Sequence, residues 1–333
     1  MKILVVRVGK IGDMVMCTPA LSAILKNYPN AEITLLTGKE GKALFNNFDK
    51  RLSNFIIYDR KALFQSKIRK EIKKQIAISD FDYIYCFETK SSFFDLFNLS
   101  LDKVFGVKED KTVIPYPQKL LDTVSKGVGK DIGFFPLYLP VEDKVLEEIN
   151  IYLENFDITK NTFLVALHPS CSGISNWLKK RKFQYRIWPS SNWANLAKKM
   201  KEYAVDKKMD LKIVTNLLPE ELSLGESIEK ESKGCLKVIS SGASLKQYVA
   251  YLKRVNLFIT PDTGPMHMAA AVKTPMVALF AHKNPNDCGP FGNPELFRVL
   301  RAEDTDHPEI GISALDVETV YAACLKQMKT FSR

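Results

Sequence analysis

The sequence predicts an α/β protein of two doubly wound parallel sheets facing each other across a cleft. Two observations carry this. Short apolar runs of strand length alternate with segments of helical period, the rhythm of βαβ units. The alternation lapses between about residues 104 and 140 and restarts at 163, so a second unit of similar size follows the first. A chain of 333 residues with 46% hydrophobic content can give each unit its own core.

In the first unit, strands are expected over residues 3–8, 32–37, 55–58 and 83–87, and helices over 18–28, 40–47 and 62–78. The Gly- and Pro-containing stretch 104–140 reads as irregular. A helix over 141–155 leads to the polar run Asp157-Ile158-Thr159-Lys160-Asn161-Thr162, read as a linker. Strands then follow over 163–167, 211–215, 236–239, 257–260, 276–280 and 296–300. Helices are expected over 191–203, 219–232 and 244–253, and a last one over 314–329, with Ser313 as its cap and Asp316 in its first turn. The domains expected are Rossmann-like units at 1–156 and 157–312. Residues 313–333 form a terminal helix expected to pack back toward the first domain.

Composition narrows the function. No apolar run approaches the ~20 residues of a membrane span, and Met1-Lys2-Ile3-Leu4-Val5-Val6 reads as a strand rather than a signal peptide. Cysteines 17, 86, 171, 235, 288 and 324 are scattered without a CxxC pair, a reduced, cytosolic pattern with no zinc or disulfide framework. The formal charge of +10 implies an anionic partner: nucleic acid, an acidic membrane surface or a phosphorylated substrate.

The stretch 257–280, LFITPDTGPMHMAAAVKTPMVALF, reads as strand, tight turn, short helix, strand. Pro265 occupies a first helical position, which needs no N–H. A helix starting there presents unpaired N–H groups and a positive dipole end to an anion, with Thr263 and His267 adding donors. An ordinary capped helix, with Asp262 and Thr263 as caps, is the competing reading.

Three further stretches are candidates. Arg7-Val8-Gly9-Lys10-Ile11-Gly12-Asp13 follows the first strand with GxxG spacing, neither a dinucleotide fingerprint nor a P-loop. Asp13 there is a general base or a helix cap. His168-Pro169-Ser170-Cys171-Ser172-Gly173 suits phosphate contacts or is a plain turn. Beside it lies Lys179 to Pro189, KKRKFQYRIWP, whose Arg186 could reach the same anion, with Lys179 and Lys182 as alternatives. Arg60, Lys61, Lys67, Arg69, Lys70, Lys73 and Lys74 follow the third strand, as an acceptor surface or a solvated helix face.

Together these stretches resemble the bacterial heptosyltransferases of glycosyltransferase family 9. The resemblance rests on Gly9-Lys10-Ile11-Gly12-Asp13 with Thr18-Pro19-Ala20-Leu21, on the His168 loop followed by a basic residue and Trp188-Pro189, and above all on Asp262 to Phe280. Three positions depart from the family pattern. Arg186 stands where Lys precedes the WP, the HPGSG-like loop reads HPSCSG, and Cys288 replaces an aromatic residue.

The resemblance implies the GT-B fold and inverting, metal-independent transfer of heptose from ADP-heptose to the inner core of lipopolysaccharide or lipooligosaccharide. It implies Asp13 as catalytic base. The donor would be held by Ser170, Arg186, Asp262, Thr263, Gly264, Pro265, Met266 and His267, and the acceptor by Lys10, Arg60 and Lys61. No cofactor or metal is expected. The expected partners are the nucleotide sugar, an anionic lipid-linked sugar and, peripherally, the cytoplasmic face of the inner membrane, with no nucleic acid. Two alternatives differ in kind: a GT-B enzyme using a UDP- or GDP-sugar or another acceptor, and a non-catalytic, basic nucleic-acid-binding protein. A nicotinamide dehydrogenase would carry GxGxxG, which is absent.

Overall fold

The computed structural model describes residues 1–97, 100–107, 112–171, 181–240 and 244–331. The chain divides into two compact units, Met1–Pro140 and Val141–Arg333.

The first unit holds a five-stranded parallel sheet in the order β3-β2-β1-β4-β5, from β1 Lys2–Val6, β2 Glu32–Thr37, β3 Asn54–Ile57, β4 Tyr83–Cys86 and β5 Val104–Gly106. β1 and β2 are apolar on both faces because helices cover both sides of the sheet. Those helices are α1 Ile11–Val15, α2 Thr18–Asn27, α3 Lys39–Phe45, α4 Gln65–Ser79 and α5 Tyr116–Val128. On one face Leu4, Val6, Ile56 and Ile84 meet Ile72 and Ile76 of α4 in a single core cluster.

β5 and α5 fall within the stretch read as irregular. α5 begins with Pro117 in its first turn, buries Leu120, Leu121 and Val124, and ends at Gly129 in the left-handed region (φ 77°). Gly127 does not break it. A Cβ there would lie 2.3 Å from the Tyr85 hydroxyl, so the glycine allows the helix to pack on β4.

The second unit holds a six-stranded parallel sheet, β11-β10-β9-β6-β7-β8. Its strands are β6 Phe163–Leu167, β7 Leu211–Asn216, β8 Lys237–Ile239, β9 Leu257–Pro261, β10 Met276–Phe280 and β11 Phe297–Arg301. The helices are α6 Asp143–Glu154, α7 Ser190–Asp206, α8 Leu222–Glu231, α9 Leu245–Arg254, α10 Gly264–Ala271, α11 Pro285–Cys288 and α12 Val317–Phe331.

The unit boundary lies at 140/141 rather than 156/157, because α6 belongs to the second unit. The Ser240 N–H donates to the Tyr152 hydroxyl (3.1 Å), and Lys246 pairs with Glu142 (3.3 Å). Residues 157–162 are a packed turn, not a linker. Ile158 is buried, the Thr162 hydroxyl donates to Asp210 (2.7 Å), and Arg254 donates to the Thr162 carbonyl (3.0 Å).

The last helix also belongs to the second unit. Val320, Cys324 and Met328 of α12 lie in the same core as Val165, Ile259 and Val277. Its apolar face is therefore committed to this sheet. Asp316, not Ser313, caps it, accepting from the Thr319 N–H at 2.7 Å. The Ser313 hydroxyl donates instead to the Ile187 carbonyl (3.0 Å).

Candidate active site

Both sheets reverse strand order once, β1 against β4 in the first and β6 against β9 in the second. Loops leaving adjacent strands in opposite directions open a crevice there, where open α/β sheets bind ligands. The candidate residues gather at these two points.

In the first unit, the chain leaves β1 through Arg7 to Lys10 and enters α1, which carries Asp13. Arg7 donates to one Asp13 carboxylate oxygen at 3.1 Å, and the Lys10 N–H donates to the other at 2.9 Å. The second bond is the one a helix-capping carboxylate makes. Asp13 remains open to solvent, its side chain 36% exposed against 12% for Arg7. Gly9 permits this arrangement, since a Cβ there would lie 2.4 Å from the Asp13 Cβ.

Arg7 is fixed from several sides. It donates to the Phe87 carbonyl (2.9 Å), lies 3.9 Å from Glu88 and stacks over Tyr116 at 5.0 Å. Burial opposes its charge, but the net effect of Asp13, Glu88 and its other neighbours raises its pKa, so it stays a cation. Glu88, buried at the end of β4, also accepts the Val8 N–H (2.7 Å) and Arg60 (3.0 Å). One carboxylate thus joins the loops after β1, β3 and β4.

The expected acceptor residues occupy this same edge. Lys10 and Lys61 are exposed. Arg60 is half-exposed and already paired with Glu88, so its charge is shared rather than open. Burial pushes the Cys17 thiol, beside Arg7, up to about 12 and keeps it protonated at neutral pH.

In the second unit, Asp262 directly follows β9 and is buried. Two cations converge on it: Lys283 at 3.1 Å and Arg186 at 3.8 Å. Burial and the nearby Arg186 disfavour the Lys283 charge, yet Asp262 raises its pKa on balance.

Thr263 is the extended residue before α10, and its hydroxyl meets that of Thr260 at 3.2 Å. The helix opens at Gly264, one residue before the start expected at Pro265, which becomes its second residue. The Met266 N–H closes a turn onto the Thr263 carbonyl (3.1 Å), and the Met266 side chain is fully buried. That leaves Gly264 as the first helical N–H at the turn. His267 is buried in the first turn.

Arg186 is held by an anchored segment. The Trp188 indole donates to the Leu315 carbonyl (2.8 Å). Gly311, at φ 67°, lets the chain pass close to Tyr185, whose carbonyl would be 2.1 Å from a Cβ there.

Ser170, in the loop after β6, is buried and donates to Glu221, whose other oxygen accepts the Leu218 N–H (3.4 Å). The hydroxyl expected to meet phosphate is therefore engaged by a carboxylate. His168, buried at the root of this loop, has its pKa pushed down to about 4 by burial and is neutral at physiological pH.

The structure brings Ser170, Arg186 and Asp262 to His267 to the carboxyl edge of the second sheet, and Lys10, Asp13, Arg60 and Lys61 to the carboxyl edge of the first. Ser172, Gly173, Lys179 and Lys180 lie outside the described residues, as does the side chain of Lys182. Sequence reasoning missed Glu88, Tyr116, Glu221 and Lys283. Each is polar and sits just beyond a strand end or opens a helix, but its partner is distant in sequence. Among the described residues, no three His, Cys, Asp or Glu side chains gather as a metal site.

Residues 178–309 match the family model described as glycosyltransferase family 9 (heptosyltransferase). The chain is 22% identical over 302 residues to the lipopolysaccharide core heptosyltransferase OpsX of Haemophilus influenzae, covering 87% of this chain and 81% of that protein. Among solved structures it is similar to the glycosyl transferase family 9 protein of Veillonella parvula, with TM-score 0.82, 17% identity and coverage of 99% and 97%. It is also similar to E. coli ADP-heptose lps heptosyltransferase II, with TM-score 0.72, 15% identity and both chains fully covered. The fold is GT-B, and the stretch that matches the family model lies within the second unit.

Proposed function

We propose that the protein transfers a heptose from ADP-heptose to the inner core of lipopolysaccharide or lipooligosaccharide, with inversion at the anomeric carbon and without a metal. The observation that carries this reading is the convergence of Arg186 and Lys283 on Asp262 at the mouth of α10. A carboxylate between two cations leaves one positive charge unbalanced and holds both side chains toward the turn. A diphosphate there would meet Arg186, Lys283, the Thr263 hydroxyl, the Gly264 N–H and the positive helix end. Such donors stabilise charge on a departing diphosphate as Mg²⁺ would. The names of the similar proteins supply the sugar, the nucleotide and the acceptor class.

The chemistry is a direct displacement. An acceptor hydroxyl attacks the anomeric carbon opposite the diphosphate, the sugar–phosphate bond breaks, and its electron pair leaves on the phosphate oxygen. Asp13 takes the hydroxyl proton. Each of its oxygens accepts one bond, from Arg7 or Lys10, and keeps a lone pair for that proton. Lys10 and Lys61, with Arg60 beside them, would hold the acceptor's anionic groups.

The protein acts in the cytoplasm and touches the inner membrane peripherally, where a lipid-borne acceptor is displayed. Among the described residues, no helix is long and apolar enough to cross a membrane. Nucleic acid is not a partner in this reading, because charge alone would leave the Asp13 and Asp262 sites without a role.

Incubation with ADP-heptose and a purified inner-core acceptor tests the proposal. The expected product has gained one heptose of inverted anomeric configuration, and EDTA does not slow its formation. Transfer from a UDP- or GDP-sugar, and none from ADP-heptose, would establish the alternative donor.

A further inference from the structure

The loop between β3 and α4 carries an unusual pair of side chains. Leu63 is 80% exposed and Phe64 78% exposed, adjacent in sequence. A single exposed apolar residue is ordinary, whereas two neighbouring large ones mark a contact surface. The loop is built to present them. Asp59 accepts the Lys61 N–H at 2.9 Å, and the Gln65 amide donates to the carbonyls of Asp59 (3.0 Å) and Ala62 (2.7 Å). Phe64 adopts φ 60° and ψ 49°, a left-handed conformation disfavoured for a residue with a side chain. It occupies the N-cap position without side-chain capping, so capping does not explain its presence there.

Charge surrounds the pair. Residues 60–74 contain seven basic residues and one acidic residue, Glu71. On α4, Ile72 and Ile76 face the core, while Lys67, Lys70 and Lys74 are exposed at helical spacing on the opposite side. Apolar side chains leading into a lysine-bearing helix face complement an anionic lipid surface: head-group phosphates pair with the ammonium groups while the apolar side chains enter the acyl boundary. Position supports the same partner. The loop lies at the carboxyl edge of the first sheet, tied by Arg60 and Glu88 to the loop that leads to Asp13.

We propose that Leu63 and Phe64 insert into the interface of an anionic membrane, with Lys67 and Lys70 on its phosphates. The edge carrying Asp13 then faces a surface-borne acceptor. This rests on the peripheral contact proposed above and names the element that makes it.

The test uses the full chain and vesicles of phosphatidylglycerol with phosphatidylethanolamine, against vesicles of phosphatidylcholine. Binding is expected to the anionic vesicles only and to weaken with salt. The double variant Leu63→Ser/Phe64→Asn keeps the left-handed position with a residue that tolerates it. It is expected to lower partition by at least ~10-fold at an unchanged melting temperature. A Phe64→Trp variant should be quenched by brominated lipid. Turnover on a delipidated sugar acceptor should survive the double variant, while turnover on a vesicle-borne acceptor falls.

Sedimentation requires neither donor nor turnover, so failure of the heptose assignment leaves this measurement intact. Several outcomes would overturn the docking assignment: equal partition of the double variant, absence of vesicle binding, RNA binding in its place, or self-association of the wild type lost in the double variant.

Discussion

Of the two readings of Asp13 open in the sequence, the structure shows the cap, and the base is the role proposed here. Asp13 caps α1 through the Lys10 N–H, and it presents a half-open carboxylate at the strand switch point. The roles are compatible because capping uses one lone pair of one oxygen. The salt bridge to Arg7, whose other anchors are the distant Phe87 and Glu88, was not legible in the sequence, and it changes the prediction for a variant. In Asp13→Asn one side-chain atom still accepts the Lys10 N–H, but the amide nitrogen then faces Arg7. A stability loss of roughly 1 kcal/mol is expected, from a partly exposed ion pair. Turnover is expected to fall by roughly 10²–10⁴, the contribution of a positioned base. Measuring kcat and melting temperature together separates the roles. Near-normal kcat would leave Asp13 as a cap alone.

At the scale of elements, strands were easier to read than the loops between them. Strands buried on both faces are continuous apolar runs, and β2, β6 and β10 begin and end where their composition says. α5 was missed because Pro117 and Gly127 read locally as breakers. Only the folded chain shows Pro117 in a first turn and Gly127 against Tyr85. The same limit hid Lys283, a lysine in a polar loop until β10 is laid beside β9 and Asp262.

The segment carrying Arg186 depends on its anchors at Gly311 and Leu315, so the guanidinium is positioned by distant sequence. Arg186→Ala is expected to weaken ADP binding and slow turnover, whereas Arg186→Lys retains part of both, a point charge replacing a bidentate fork. Lys283→Ala removes the nearer partner of Asp262 and is expected to raise the nucleotide dissociation constant by roughly 10-fold, a charge-assisted contact of about 1.5 kcal/mol. Calorimetric titration with ADP measures all three. Unchanged affinity in Lys283→Ala would make the lysine a structural counter-ion.

For the molecule as a whole, alternation of strand and helix sufficed to place two parallel sheets, because each βαβ unit is locally encoded. The unit boundary was not locally encoded. Residues 157–162 are polar enough to read as a linker, which leaves the helix before them with the first unit, yet α6 and this turn pack onto the second unit through buried residues such as Ile149, Leu153 and Ile158. The positive charge of the chain was equally ambiguous, fitting nucleotide, lipid or nucleic acid. Ligand-induced stabilisation distinguishes these for the intact chain, because only a ligand that binds the folded state raises the melting temperature. ADP at one hundred times its dissociation constant stabilises by ~2.7 kcal/mol, a shift of a few degrees if the whole chain unfolds together and more if one unit melts alone. The expected order is ADP above UDP and GDP, with no response to NAD or to a short oligonucleotide. Stabilisation by NAD or RNA without one by ADP would remove the nucleotide-sugar reading of the Asp262 site. Equal stabilisation by all three diphosphates would mean that the site reads phosphate alone, and that the base is selected elsewhere.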